Sequence, residues 1–379
     1  MSQRFSSRTG WDLGESRFAE AIRRARAEGR RLIDLTVSNP TVCGFHYDAE
    51  AILAPLSDPR ALVYDPDPRG MWSAREAVAG YYADHGAEVD PDAVILTTST
   101  SEGYGYLFRL LCDAGDEVLV AQPSYPLFDF LADLEDVRLR PYPLFYDYGW
   151  WIDFAEMEKR IGPRTRAVVL VHPNNPTGHG TRAEERRRLE EVCARHGLAL
   201  IVDEVFLDYP LNGGALESFT RGPHGVLTFV LSGLSKIAGL PQMKVGWIAG
   251  FGPECRAALA RLEVIADTFL TMNAPAQYGL PGWLEGRAGV QKQILERASG
   301  NTRKIADCGV EMLRTEAGWS AVIRLPRVGI GAEELLGENV VAHPGSFYGM
   351  AEPEWIVVSL IVPEAEFSTG ISTIARASR

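Results

Sequence analysis

Short apolar runs that alternate with helical patterns occupy the middle of the chain, and this alternation limits the possible folds more than any other feature. A run such as RAVVLVHP, which is apolar at nearly every position, is typical of a strand buried on both faces. Helical spacing at residues 102–115 and 181–197 separates such runs. The predicted strands are residues 93–98, 117–121, 166–173, 198–204 and 227–233. The pattern predicts an α/β fold with a mainly parallel sheet.

The two ends of the chain have a different pattern. Residues 254–315 are mostly helical in spacing, and strands are predicted at residues 319–326 and 354–362. The remaining predicted elements are helices at residues 16–29, 332–337 and 363–376 and a strand at residues 31–37. We therefore expect a large domain over residues 50–260. A smaller α+β domain would combine residues 1–49 with residues 261–379.

Charge and composition exclude several classes of function. The formal net charge is −12, which disfavours nucleic acid or an anionic membrane surface as the main partner. The sequence has neither an N-terminal secretory pattern nor an apolar run of about 18 residues, so we expect no membrane span. The five cysteines are scattered without CxxC spacing, which predicts a cytoplasmic protein without a zinc site. Histidine spacing likewise predicts no catalytic metal.

Lysine is scarce, which makes its positions informative. Of the 38 lysines and arginines, only five are lysines, and two of them stand eight residues apart in LSGLSKIAGLPQMKVGW, at Lys236 and Lys244. An arginine stays protonated at any working pH, whereas a poorly solvated lysine can lose its proton and act as a nucleophile. The segment therefore predicts a reactive amine and, with it, a partner molecule.

Polar residues follow four of the predicted strands. They are the hydroxyl run Ser99-Thr100-Ser101, the HPNNPTG turn with Asn175, the carboxylate Asp203, and the segment with Ser232, Ser235 and Lys236. Each has an ordinary structural interpretation as a helix cap, a loop or a buried ion partner. Ligands nevertheless collect at the carboxyl ends of parallel strands. An anion cradle, an amide, a carboxylate and a lysine together suit pyridoxal 5'-phosphate, which has a phosphate, a 3-hydroxyl, a pyridine nitrogen and an aldehyde.

The order of these motifs resembles the fold-type-I pyridoxal-phosphate enzymes, and specifically the class I/II aminotransferases. The matching segments run over nearly the whole chain: SNPT, YDPDPRG, TTSTSEG, DAGDEVLVAQPSYP, HPNNPTG, IVDEVFLDY and SGLSK with MKVGW. The resemblance implies a large domain with a mainly parallel seven-stranded sheet and a smaller domain built from both ends of the chain. It also implies an aminotransferase that moves an amino group between an amino donor and a 2-oxo acid.

The resemblance also implies a role for each residue. Lys236 would form the Schiff base with the cofactor and later move a proton. Asp203 would pair with the ring nitrogen, Asn175 would donate to the 3-hydroxyl, and Tyr125 would stack on the ring. The residues expected around the phosphate are Thr100, Ser101, Ser232, Ser235, Lys244 and, from the partner subunit, the residue at position Tyr64. A homodimer with shared active sites is therefore implied.

The expected substrate side departs from the family pattern. Asn39 lies in the segment that would border the substrate. The family's carboxylate-binding arginine, two residues before a serine on a late strand, is replaced by Val357 before Ser359. Three explanations stay open: another arginine acts, with Arg69, Arg324 and Arg17 as candidates; the substrate is an amine or amino sugar without an α-carboxylate; or the register is shifted.

Two further departures concern the cofactor. Phe206 stands where many members have a tyrosine, and Ser99 stands where a glycine is usual.

The alternatives to an aminotransferase are a lyase, decarboxylase or cyclase with the same cofactor. A non-catalytic sensor is a third class, but the N-terminal 50 residues show no basic helix-turn-helix pattern.

Overall fold

The computed structural model describes residues 5–211, 213–270, 272–326 and 330–377. The strands, in chain order, are β1 (Ile33–Asp34), β2 (Val94–Thr97), β3 (Glu117–Gln122), β4 (Arg138–Tyr146), β5 (Trp150–Ile152), β6 (Thr165–Val171), β7 (Ala199–Asp203), β8 (Thr228–Gly233), β9 (Gly246–Phe251), β10 (Glu311–Met312), β11 (Ser320–Arg324), β12 (Val340–Val341), β13 (His343–Pro344) and β14 (Trp355–Ser359). They form sheets of eight, four and two strands.

Helices connect and cover these sheets. They are α1 (Arg17–Ala27), α2 (Ala49–Leu53), α3 (Trp72–Asp84), α4 (Thr100–Leu111), α5 (Leu127–Leu134), α6 (Phe154–Lys159), α7 (Ala183–His196), α8 (Leu234–Ile237), α9 (Cys255–Phe269), α10 (Ala274–Glu285), α11 (Ala288–Asp307), α12 (Ala332–Gly337) and α13 (Glu364–Ala377). Their ends follow local capping rules. For example, Ser99 accepts from the backbone N–H of Glu102 at the start of α4, and α7 stops at Gly197 with φ of 65°.

The large sheet has the strand order β2-β9-β8-β7-β6-β3-β4-β5. The five central strands run parallel to one another, in the order β8, β7, β6, β3 and β4. β9 runs antiparallel to both β8 and β2, and β5 runs antiparallel to β4. The predicted α/β class with a mainly parallel sheet is confirmed. The sheet has eight strands instead of seven, because the three-residue β5 extends its edge.

Both faces of the large sheet are buried, as the continuous apolar runs predicted. Along β6, Val168 and Leu170 belong to the core on one face, while Ala167, Val169 and Val171 belong to the core on the other. Helices α9 and α10, which follow the last strand of this sheet, still add side chains to these two cores. The domain limits near residues 50 and 260 stay a prediction.

A second, smaller sheet consists of four antiparallel strands in the order β10-β11-β14-β13. Its core includes side chains from α11, α12 and α13, together with Leu35 from the N-terminal segment. The two ends of the chain therefore pack together, and the two-stranded sheet of β1 and β12 joins them in parallel. No helix among the described residues is long and apolar enough to cross a membrane.

Candidate active site

The carboxyl ends of the parallel strands bring the predicted polar residues to one edge of the large sheet. Asp203 ends β7 and is paired in register with Val171, the last residue of β6, and with Leu231 near the end of β8. Asn175 follows β6, and Lys236 follows β8. The strand order, which could not be read from the sequence, therefore explains why these residues share one site.

Asp203 is a buried carboxylate with one donor on each oxygen. Its residue is 7% exposed. The hydroxyl of Tyr104 donates to Oδ2 at 3.1 Å, and the backbone N–H of Val205 donates to Oδ1 at 3.1 Å. Burial raises the pKa of Asp203 to about 6, although these donors and the nearby Lys236 lower it. Sequence reasoning missed Tyr104, although its position one turn after Thr100 on a helix was a usable signal.

Lys236 lies in the short helix α8, directly after β8. Its Nζ is 5.0 Å from the centroid of the Trp319 ring and 5.6 Å from that of Phe206. Burial lowers the pKa of Lys236 to about 8, and the Asp203 carboxylate opposes this shift. Tyr209 fixes the backbone by donating its hydroxyl to the Lys236 carbonyl at 2.5 Å. The lysine therefore has a substantial neutral fraction near pH 8, which a nucleophile or a proton acceptor needs.

Asn175 is held from the small sheet. The hydroxyl of Ser320, the first residue of β11, donates to Asn175 Oδ1 at 3.2 Å. The chain just before Ser320 is anchored to the HPNNPTG turn that contains Asn175, because the N–H groups of Glu316 and Ala317 donate to the Gly178 carbonyl. A Cβ at Gly178 would lie 2.5 Å from the Ala317 oxygen, so this close approach needs glycine. With Oδ1 occupied, the Asn175 amide N–H groups remain available to an acceptor. Nothing in the sequence signalled Ser320.

Two hydroxyl-bearing segments meet at the start of β9. Gly246 is paired with Gly233, which follows Ser232, and with Thr97 near the start of α4. A Cβ at Gly246 would lie 3.0 Å from the Thr100 nitrogen. The start of α4, with the Thr100 and Ser101 side chains, therefore lies next to the Ser232–Ser235 segment.

These hydroxyls form a ready anion site. The buried Ser232 hydroxyl has no protein partner, and none is present for Thr100, Ser101 or Ser235 among the described residues. Lys244 is exposed, has φ of 54° and forms no ion pair within that part of the chain. Free hydroxyls, a helix N-terminus and a free ammonium group are the donors that a phosphate needs.

Three other predicted cofactor and substrate residues are exposed. Tyr125 is 45% exposed and follows Ser124, whose N–H donates to the Tyr348 carbonyl at 3.1 Å. Tyr64 is 80% exposed. Asn39 caps a short turn, since its side chain accepts from the Thr41 N–H and hydroxyl.

The arginines considered for a carboxylate are engaged elsewhere or exposed. Arg69 donates to Glu263 at 2.7 Å and to the Asp92 carbonyl at 3.0 Å. Arg324 is paired with Glu311 in two contacts at the exposed end of β11. Arg17 is exposed at the start of α1.

Val357 lies on the side of the small sheet that faces the site. It is paired with Val322 on β11 and His343 on β13, and alternate side chains on a strand share a face. Ser320 is on the same face of β11 as Val322, and its hydroxyl reaches Asn175. Val357 is 1% exposed, so the position is packed with an apolar side chain.

The residues at this edge fit pyridoxal phosphate. The orphaned Ser232 hydroxyl, the free hydroxyls near it, the buried Asp203 and the amine of Lys236 match its phosphate, ring nitrogen and aldehyde. Among the described residues there is no group of three or more His, Cys, Asp or Glu side chains that could hold a metal ion.

Comparison with known proteins decides the family. The sequence pattern described as aminotransferase class I and II matches residues 30–374. This chain belongs to that family. The class I and II aminotransferases depend on pyridoxal phosphate, and the present chain is accordingly a pyridoxal-phosphate-dependent aminotransferase.

Individual relatives agree with this assignment. The chain is 28% identical over 276 residues to the glutamate-pyruvate aminotransferase AlaA of Escherichia coli K12, covering 72% of this chain and 68% of the relative. It is 30% identical over 278 residues to an alanine aminotransferase of Mycobacterium tuberculosis, covering 72% and 64%. A solved alanine aminotransferase from Pyrococcus furiosus shares the fold, with a TM-score of 0.88, 20% identity and 99% coverage of both chains.

Proposed function

We propose that this aminotransferase uses Lys236 as its reactive amine and Asp203, Asn175 and the α4 hydroxyls as its cofactor site. The observation that carries the proposal is the pair of Lys236 and Asp203 at one sheet edge. Burial lowers the pKa of the amine and raises that of the carboxylate, so both ionise close to neutral pH. Pairs of groups with such perturbed pKa values are typical of active sites.

Each residue has a distinct task. When bound, the pyridoxal ring supplies an electron sink that stabilises negative charge at the donor's α-carbon. Asp203, held by Tyr104 and Val205, is placed to keep the ring nitrogen protonated. Asn175 offers its amide N–H groups to the 3-hydroxyl, and Tyr125 offers a ring face. Thr100, Ser101, Ser232, Ser235 and Lys244 offer donors to the phosphate.

Lys236 has two tasks. With pyridoxal phosphate bound, the neutral Nζ would be the group that holds its aldehyde carbon. During turnover the free Nζ would accept the proton from the donor's α-carbon and would later give it back. The aromatic rings of Trp319 and Phe206 lie beside Nζ and limit where it can move. A second half-reaction with a 2-oxo acid runs these steps in reverse.

We propose a homodimer in which Tyr64 reaches the phosphate of the partner subunit. Tyr64 is 80% exposed and lies beside two further exposed apolar residues, Leu62 at 90% and Val63 at 65%. Leu270, which lines the same cavity as these three residues, is 74% exposed. A contiguous apolar patch of this kind is typical of a subunit interface.

All five cysteines are unpaired, which supports a location in the reducing cytoplasm.

For the substrate, we propose amino donors such as alanine or glutamate with a 2-oxo acid acceptor, because the relatives are named for these reactions. The apolar Val322 and Val357 face the site where a charged fork was expected, so the α-carboxylate would be held by neutral donors. Binding of such a donor would therefore be weak, with KM values above those of enzymes that use a bidentate arginine.

A single-turnover assay tests the proposed reaction. The enzyme loaded with pyridoxal phosphate is mixed with each amino donor in the absence of an acceptor, and oxo acid, ammonia and carbon dioxide are measured. An aminotransferase releases one oxo acid per active site and neither gas nor ammonia. Ammonia or carbon dioxide in more than stoichiometric amounts would instead indicate a lyase or decarboxylase. Loss of oxo acid in Lys236→Ala assigns the reaction to this site.

A further inference from the structure

Tyr104 connects the two ends of the cofactor site through one helix. It lies on α4, four residues after Thr100, so the two side chains are on the same face of the helix one turn apart. Thr100 and Ser101 form the phosphate end. The Tyr104 hydroxyl reaches Asp203 Oδ2 at 3.1 Å, which is the ring-nitrogen end. A shift of α4 therefore changes both ends together.

Packing fixes the Tyr104 side chain in this position. The residue is 2% exposed, and its ring meets that of Phe128 edge-on, with centroids 5.0 Å apart. Phe128 is in α5, three residues after Tyr125. At the preceding position a Cβ on Gly103 would lie 2.7 Å from a Leu231 methyl carbon, so α4 packs closely against β8 here. The hydroxyl is thus delivered to Asp203 by a rigid contact.

Asp203 needs this donor because few other groups favour its charged form. Among the described residues, its second oxygen accepts only the Val205 N–H, and Lys236 is the cation that acts on it. Tyr82 is a further titratable neighbour, whose own pKa Asp203 raises. Burial works against ionisation. Removing one of two hydrogen-bond donors from a buried carboxylate favours its protonated form, which cannot accept a proton from the ring nitrogen.

We propose that Tyr104 is a positioning residue that keeps Asp203 ionised and directed at the cofactor's ring nitrogen. Tyr104 itself touches neither substrate nor reacting atoms. The inference rests on the proposed cofactor site, since Asp203 has this task only if pyridoxal phosphate binds there.

The test compares two matched variants of the full chain, Tyr104→Phe and Tyr81→Phe. Tyr81 is also 2% exposed, and its hydroxyl also donates to an aspartate, Asp208, at 3.1 Å. Both variants keep the ring and lose one equivalent hydrogen bond. Pyridoxal phosphate affinity is measured from pH 5 to 9 by fluorescence quenching, and urea unfolding of each apoprotein gives the loss of stability.

In the wild type, affinity should fall as the pH decreases through about 6, where Asp203 becomes protonated. Tyr104→Phe should move this inflection to higher pH by about one unit and weaken binding about tenfold at pH 6, with a smaller loss at pH 8.5. Tyr81→Phe should leave the inflection in place. If both variants keep the wild-type inflection, Tyr104 only supports the fold, and the inference is overturned.

Asp203→Asn completes the test. In that background, which has no carboxylate to ionise, adding Tyr104→Phe should change cofactor affinity by less than twofold. An equal loss in both backgrounds would contradict coupling between the two residues. These outcomes are separate from the proposed function. If the wild-type chain does not bind pyridoxal phosphate at all, the cofactor site itself is wrong, whereas wild-type binding without coupling refutes only the role of Tyr104.

Discussion

The two sides of the active site are built on different principles. The large-sheet side has polar groups at its strand ends, each either hydrogen-bonded to a defined partner or left without one: Asp203, Asn175, Lys236 and the α4 hydroxyls. On the small-sheet side, Val322 and Val357 form an apolar row, and the candidate arginines Arg69 and Arg324 pair with carboxylates elsewhere. The large-sheet side, which we propose as the cofactor side, is therefore polar and charged, while the small-sheet side, which we propose as the substrate side, is apolar.

The difference between the two sides indicates which of them determines the selectivity for the bound molecule. Charged and hydrogen-bonding groups fix one cofactor in one orientation, since a misplaced phosphate or ring nitrogen would leave buried groups unpaired. An apolar wall makes no such demand on a substrate. Changes on the cofactor side should consequently have large effects on every substrate, and changes to the arginines considered for the substrate should have small ones.

The largest effect is expected for Lys236→Ala. Without this amine the chain loses both the covalent link and the proton acceptor, so kcat should fall at least about a thousandfold. Lys292→Ala is the matched control, because Lys292 is 77% exposed and only 4.0 Å from Glu296 in a surface pair. Turnover with alanine and glutamate measures both variants. Retention of more than a tenth of the activity by Lys236→Ala would contradict the division between the two sides.

Asp203→Asn should be next in size. It would remove the charge that we propose pairs with the ring nitrogen. We expect activity to fall by about a hundredfold or more, since loss of one partner of a buried ion pair costs about 3–5 kcal/mol. The same variant should stabilise the apoprotein.

The direction of this stability effect follows from the raised pKa of Asp203. The buried carboxyl contributes stability below its unfolded pKa, and this contribution is lost as the pH rises through about 6. A pKa raised from 3.8 to about 6 corresponds to about 3 kcal/mol at pH 7.5. Urea unfolding at pH 7.5 and at pH 4 should show a gain for Asp203→Asn only at the higher pH. A gain of equal size at both values would contradict this cause.

The pH dependence of cofactor attachment should show an effect of about a hundredfold. Only the neutral amine reacts, and burial lowers the pKa of Lys236 to about 8, from an ordinary 10.5. At pH 8 the reactive fraction is therefore about a hundred times that of an exposed lysine. The rate of attachment to the apoprotein, followed by absorbance, should rise with pH and level off above about 8. A continued rise to pH 10 would contradict the shift.

Ser320→Ala should have a moderate effect, because Ser320 bridges the two sides. Loss of its hydrogen bond to Asn175 Oδ1 lets the amide rotate, and cofactor affinity should fall about three- to tenfold. Ser320→Thr, which keeps a hydroxyl, should retain more of the affinity. Equal losses in both variants would assign the effect to packing and not to the hydrogen bond.

Arg324→Ala should have the smallest effect. Its side chain forms an exposed pair with Glu311, and such pairs contribute about 0–1 kcal/mol to stability. We expect KM values for alanine and glutamate within about twofold of the wild type, as for other exposed surface substitutions. A tenfold rise in KM for carboxylate substrates would show that this arginine moves into the site. It would contradict the conclusion that the small-sheet side is apolar.

The sequence indicated which polar residues follow the strands of the large sheet, because these signals are local. A strand that ends in Asp203, a turn with Asn175 and a lysine in an apolar run can each be recognised without knowing the fold. The strands β4 and β9 were missed for local reasons too: β4 contains Pro141 and Pro143, which argue against a strand, although prolines are tolerated near a sheet edge. The short β5 gives no pattern at all.

Contacts between distant segments could not be predicted. The bond from Ser320 to Asn175 joins residues 145 positions apart, and the bond from Tyr104 to Asp203 joins residues 99 apart. The Trp319 ring lies beside Nζ of Lys236. The segment before Trp319 is anchored by hydrogen bonds to the Gly178 carbonyl. These pairs depend on strand order and domain packing, which side-chain type and spacing along the chain do not encode.

Chemical trapping would show whether Lys236 alone carries the cofactor. Purified protein is incubated with pyridoxal phosphate, reduced with borohydride, digested and mapped by mass spectrometry. With only four other lysines in the chain, the assignment is unambiguous. We expect one pyridoxyl group per subunit, on Lys236. A protein that stays unlabelled, or a label shared among Lys159, Lys244, Lys292 and Lys304, would contradict it.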